Sequence, residues 1–185
     1  MQWTIDPTHS QAEFSIRHLF TPVHGHMVIA GGTVHIDEAD LAKSAVWATL
    51  DPASVNTGVS VRDDHLRSAD FFDVDKHPEI RFRSSEVLRK ADNEFLVTGL
   101  LAIHGVTRPI TLDARIRGSA VDQRGSRRAS FSARATLNRK DFGLRWNQAL
   151  EAGEFLVGDE VEINLEIEAV LEVGTAIPQA AFKAA

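Results

Sequence analysis

Cysteine is absent from all 185 residues, which removes disulfides, thiolate zinc sites, iron–sulfur clusters and cysteine nucleophiles from consideration. No apolar run approaches the roughly 18 residues that a membrane-spanning helix requires. Excess positive charge is also missing. The formal net charge is −6 and the isoelectric point about 5.7, so nucleic acid is not an expected partner. The chain lacks GxSxG, GxGxxG, a Walker-type loop and HExxH, and Gly58-Val-Ser60-Val-Arg62 has no second glycine to make a nucleophile elbow. Met1-Gln2-Trp3 leads into structured-looking sequence without a basic stretch, an apolar stretch or a small-residue cleavage site. The expected location is therefore the cytoplasm, or the periplasm if a leader has been removed.

What is present fits one globular domain. Hydrophobic content of 43% and charged content of 25% suit a folded core, and a chain of this size buries roughly 70% of its unfolded surface. We expect a single domain over residues 1–173 and a peripheral tail over 174–185, where no strong period is visible.

The dominant hydrophobic period is two. Val161, Ile163, Leu165, Ile167 and Ala169 alternate with Glu162, Asn164, Glu166 and Glu168, as in a strand with one buried and one wet face. Phe95–Ile103, Ile110–Ile116 and Phe131–Leu137 repeat the pattern, and Phe14, Ile16, His18 and Phe20 share a parity. Further strands are expected at about 23–36, 44–51 and 79–89. Turn signals fall at Lys90–Glu94, His104–Pro109 and Gly118–Ser126. About eight long strands with short connections predict an all-β, antiparallel, eight-stranded barrel, since closure removes exposed edges. Two stretches break the alternation. One is a short helix around residues 61–73, ended by Pro78. The other is an apolar connection from Lys140 to Gly158 that carries Phe142, Leu144 and Trp146, a candidate lid or rim.

Candidate chemistry is sparse. Asp63-Asp64-His65 could orient a water or a metal, but carboxylates at a helix start more often meet free backbone N–H groups. His24 and His26 share a strand face and lack a third ligand, so no metal is expected. His18, on the parity of the phenylalanines, is a structural donor or a contact for a ligand head group. Residues 115–145 are strongly basic and 151–172 strongly acidic. This is either a rim for a phosphate or anionic membrane, or cross-strand pairing of Arg134 and its neighbours with Glu162, Glu166 and Glu168. The loop arginines Arg124, Arg127 and Arg128 stay open between these readings. Small inward positions (Ala48, Ser84, Gly99, Ala114, Ala133, Ala135) stand beside large ones. Eight strands lie at the size limit where side chains either fill the barrel or leave room for one ligand.

The chain resembles the YceI-like family, lipocalin-like bacterial proteins that bind polyisoprenoid lipids. The resemblance is carried by Trp3-Thr-Ile-Asp-Pro-Thr-His-Ser10 with Phe14–His18, by Ser54–Gly58, by Arg62–Phe72 with Lys76-His-Pro78, by Gly99–Pro109, by Arg139–Gly143 and by Val157–Val161. Together these cover about residues 3–170. It implies a lipocalin-like barrel whose apolar tunnel stores or transports, without catalysis, an isoprenoid quinone, a prenyl phosphate or another long-tailed amphiphile. That lipid would be the bound ligand, and no other cofactor is implied. Phe14, Ile16, Phe20, Phe71, Phe72, Phe82, Leu101, Ile103 and Phe131 are the expected wall, and Trp146 joins them from the lid segment. Arg62, Asp63, His65 and His18 are the expected polar end. Many relatives are periplasmic, and Met27 stands where an aromatic residue is common. Transient membrane contact and a homodimer through the rim are the expected associations. The rival readings are an enzyme acting on such a lipid through Asp63, Asp64 and His65, and a filled barrel serving as a protein-interaction module.

Overall fold

The computed structural model describes residues 1–149 and 156–172. Its strands are β1 (Gln2–Ile5), β2 (Gln11–His18), β3 (Thr21–His35), β4 (Ala45–Asn56), β5 (Ile80–Ala91), β6 (Glu94–Ile103), β7 (Val106–Val121), β8 (Arg127–Asn138) and β9 (Val157–Leu171). The helix α1 spans Ser60–Arg67. Every pairing is antiparallel, from β2 through β3 and onward to β9, and β9 pairs back onto β2. β1 and β2 each lie between β3 and β9. They form two halves of one stave, interrupted by a 3-10 turn at Pro7–His9. Nine strands thus close an eight-position barrel, as the period-two pattern predicts.

The alternation survives into the registers. Ala12 pairs with Leu165, Leu165 with Ala133, and Ala133 with Ala114. One level of the barrel wall therefore carries three alanines on four consecutive staves. Glycine has a different effect. A Cβ on Gly99 would sit 2.7 Å from Cζ of Phe82, and one on Gly25 would sit 2.8 Å from Cε1 of Phe14. Each ring packs against a glycine of the neighbouring strand. Gly99 is covered by Phe82, and it is the alanine level that widens the interior.

Several boundaries differ from the sequence reading. The helix stops at Arg67 rather than near residue 73, because Ser68 is extended and its hydroxyl donates to the His65 carbonyl at 2.7 Å. Residues from Ser68 to His77 continue as turns, with Asp73 at φ 47°. β4 runs five residues beyond Asp51 despite Pro52. Ser54 Oγ replaces a missing ladder group there, accepting from Val28 N at 2.8 Å and donating to Asp51 O at 2.5 Å. The turn expected over His104–Pro109 is only His104-Gly105, with φ 51° and 73°, the left-handed pair that a two-residue hairpin needs. β2 ends at His18, and Phe20 sits at the turn tip, 90% exposed. The 174–185 tail and Leu150–Phe155 lie outside the described residues.

At the end of the barrel remote from α1, Arg128 on β8 gathers β9 and the turns that follow β1 and β7. Its guanidinium donates to Asp6 at 2.8 Å, Asp122 at 2.9 Å and Glu168 at 2.5 Å. The cross-strand reading of the charge asymmetry thus accounts for Arg128. Arg128, and then His9, hold the Asp6 carboxyl well below the usual range, and Arg128 likewise depresses Asp122.

Two outcomes follow from this frame. Gly99→Ala should cost roughly 1–3 kcal/mol by overpacking, because the new Cβ would meet the Arg83 carbonyl oxygen as well as the Phe82 ring. Equilibrium urea denaturation will measure it; an unchanged midpoint would contradict this close packing. Carboxyls depressed in the fold contribute stability that is complete above about pH 5 and is lost as pH falls through the carboxylate range. Melting temperature should therefore drop between about pH 5 and pH 3 more steeply in the wild type than in Arg128→Gln.

Candidate ligand-binding cavity

The barrel is hollow. Its interior holds a cavity of 710 Å³, within the range of small-molecule sites. The belt contributes Ala12, Leu165, Ala133 and Ala114 to its wall, and Phe14 and Ile16 on β2, Phe82 on β5, Leu101 and Ile103 on β6 and Phe131 on β8 line it as expected. Phe71 and Phe72 reach it from the turns after α1, and Trp146 from the segment after β8. Val61 lines the cavity yet is 78% exposed, so the cavity reaches solvent beside α1. Phe20 is not part of this wall, because the chain reverses at Leu19, φ 55°, before the strand parity can turn its ring inward.

The expected polar end divides in two. His18, Arg62 and His65 line the cavity near α1, whereas Asp63 does not. Asp63 is buried and accepts from Thr57 N at 2.8 Å and Thr57 Oγ1 at 2.6 Å. It ties α1 to the residue after β4 rather than capping the helix, whose N-cap is Val59 with no side-chain cap. Its role is structural, but it is not the capping expected from the sequence. Arg62 Nε donates to Thr57 Oγ1 at 2.7 Å. Asp64 pairs with Arg67, which also donates to the carbonyls of Ala53 and Val55 and straps the helix to β4. His65 Nε2 shares a 2.9 Å hydrogen bond with Asp70 Oδ2. Its ring meets Phe71 and Trp146 edge-on, at 5.1 and 4.6 Å between centroids. Asp63, Asp64 and His65 thus point to three different partners, and only His65 reaches the cavity.

Residues 3–169 match the YceI-like domain profile. A UPF0312 protein of Pectobacterium atrosepticum is 39% identical over 137 residues, covering 74% of this chain and 71% of its own. This chain belongs to the YceI-like family. The crystal structure of Burkholderia cenocepacia BcnA superposes with a TM-score of 0.75 at 22% identity, over 89% of this chain and 98% of that one. A polyisoprenoid binding domain from Saccharophagus degradans gives a TM-score of 0.68 at 18% identity, over 92% and 98%. At those identities the likeness is one of fold.

One residue of the YceI-like cavity escaped the sequence reading. Arg139 is 2% exposed and still lines the lumen. It donates to the carbonyls of Leu144 at 2.6 Å, Trp146 at 2.8 Å and Gly158 at 2.8 Å. Burial pulls its pKa down, opposed by Asp159 at 3.5 Å. The 3-10 turn Arg139–Phe142, closed by Gly143 at φ 80°, sets the guanidinium under the lid segment. That segment is partly core, with Phe142 and Leu144 buried and Trp146 at the cavity. The signal was the arginine at the head of Arg139-Lys-Asp-Phe-Gly143, which charge alone assigns to the surface. Arg139→Met should cost about 3 kcal/mol, because three carbonyls lose their donor. Circular dichroism melts should show a fall of roughly 6–12 °C, and Trp146 emission should shift to the red.

Proposed function

We propose that the cavity sequesters a long-chain isoprenoid amphiphile, an isoprenoid quinone or a prenyl phosphate, in a carrier or storage role without catalysis. The observation that carries this reading is the alanine level, Ala12, Ala133 and Ala114 around Leu165, which keeps open a lumen walled by aliphatic and aromatic side chains. Each methylene moved from water into such a lumen gains ~0.8 kcal/mol. A polyisoprenoid tail therefore supplies a large driving force without polar contacts. A fold neighbour described as a polyisoprenoid binding domain supports the same class of guest. His18, Arg62 and His65, at the end that reaches solvent, would face a head group, and Phe71, Phe72 and Trp146 would flank the first part of the tail.

Organic extraction of freshly purified protein and mass spectrometry should release about one long-chain lipid per protein. A long-chain quinone added to delipidated protein should quench fluorescence in the wild type and far less in Trp146→Phe, because Trp146 alone of the three tryptophans lines the cavity. Ala133→Trp, which fills the belt, should weaken uptake at least about tenfold with secondary structure retained. No extractable lipid and no quinone or prenyl phosphate uptake by folded protein would refute the proposal.

A further inference from the structure

A second cluster lies near the α1 end of the barrel and outside the lumen. The metal-ligating atoms of Asp73, His77 and His104 all lie within 4.8 Å of one another, and all three residues are half-buried. None of them lines the cavity. The His77 and His104 rings meet at 4.8 Å between centroids with 66° between their planes. We propose that Asp73, His77 and His104 form a binding site for a first-row divalent cation of borderline softness, with Zn²⁺ as the probe.

The placement is built by the backbone. Asp73 and His104 both adopt left-handed conformations, φ 47° and 51°, which bring the turns after α1 against the β6–β7 hairpin. Two glycines leave room for the imidazoles. A Cβ at Gly105 would meet His77 Cε1 at 2.8 Å, and one at Gly143 would meet His104 Nδ1 at 3.3 Å. Two imidazoles and one carboxylate form a donor set that zinc takes with an open fourth position for water. Ligands at ~2.0–2.2 Å around a tetrahedral ion stand roughly 3.4 Å apart, so the cluster must contract by side-chain rotation. Lys76 Nζ, 2.8 Å from Asp73 Oδ2, is the cation already present. Its side chain is 72% exposed and can swing away into water. The other such cluster among the described residues, Asp6, His9 and Glu168, is already served by Arg128, which donates to both carboxylates. A bound ion would join the turns after α1 to the β6–β7 hairpin, beside Gly143 of the lid segment.

The test uses full-length, tag-free protein dialysed against chelator and titrated with ZnCl₂ by calorimetry at neutral pH. One saturable equivalent is expected, with a raised melting temperature. His77→Phe keeps the ring volume and His104→Asn suits the left-handed backbone. Each should weaken binding about 100-fold, whereas His24→Ala/His26→Ala on the exposed strand face should leave it unchanged. In wild-type protein, the ring nitrogen resonances of His77 and His104 should move on zinc addition while those of His24 and His26 stay, a readout independent of whether a variant folds. No saturable binding, binding undiminished in folded His77→Phe, or ring shifts at other histidines would overturn the proposal.

Discussion

A closed sheet of eight positions satisfies its strands' backbone groups within the ring, and the price of closure is an enclosed interior. Nothing about closure decides whether that interior is filled. In this chain the decision rests on which side chains stand on one level of the wall, where Ala12, Ala133 and Ala114 surround Leu165. Larger residues on the same staves would meet across the axis, since eight strands leave an interior just wide enough to fill. Phe14 and Phe82 do not undo the opening, because each ring packs against a glycine of a neighbouring strand. The lumen is therefore a consequence of a few small residues at register positions, supported by rings held against the wall.

The two ends of the barrel are built differently. Away from α1, the broken first stave is locked by charge, with Arg128 joining Asp6, Asp122 and Glu168. Trp3 packs beside it against Phe131 at 6.4 Å. Near α1 the polar groups serve position. Asp63 and Arg62 both engage Thr57, Arg67 straps α1 to β4, and Arg139 holds the lid segment through its carbonyls. Helix, turns and lid segment are thus tied down around an apolar opening, by residues that sequence patterns assign to chemistry or to solvent.

What could be read from the sequence follows from what repeats. The inward parity of residues 95–103, 110–116, 131–137 and 161–169 is a local property of a pleated chain, and the registers preserve it. Phe20 failed because parity holds only while the strand lasts, and Leu19 turns first. β4 outran its pattern because a serine side chain, invisible to periodicity, replaced a backbone partner. Arg139 was hidden because burial of a guanidinium depends on three carbonyls contributed by β9 and the lid segment. Asp73, His77 and His104 are brought together only by the hairpin and the turns after α1.

The pattern of engaged groups limits how this cavity can choose a guest. A site that discriminates by head group presents buried donors or acceptors that only the right partner satisfies. Here Asp63 is spent on Thr57, Arg139 on backbone carbonyls and His65 on Asp70. The contacts left for a guest are overwhelmingly apolar, and apolar contact distinguishes molecules weakly per methylene. With His18 and Arg62 at the mouth as the main polar contacts for the proposed head group, selection inside the lumen would come from the shape of the tail. For the proposed guest, a branched, long chain that fills a 710 Å³ lumen would be favoured over a short or bulky one by the sum of many small contacts. The alanine level is where that sum would be decided, because it sets the bore of the lumen that the proposed tail would occupy.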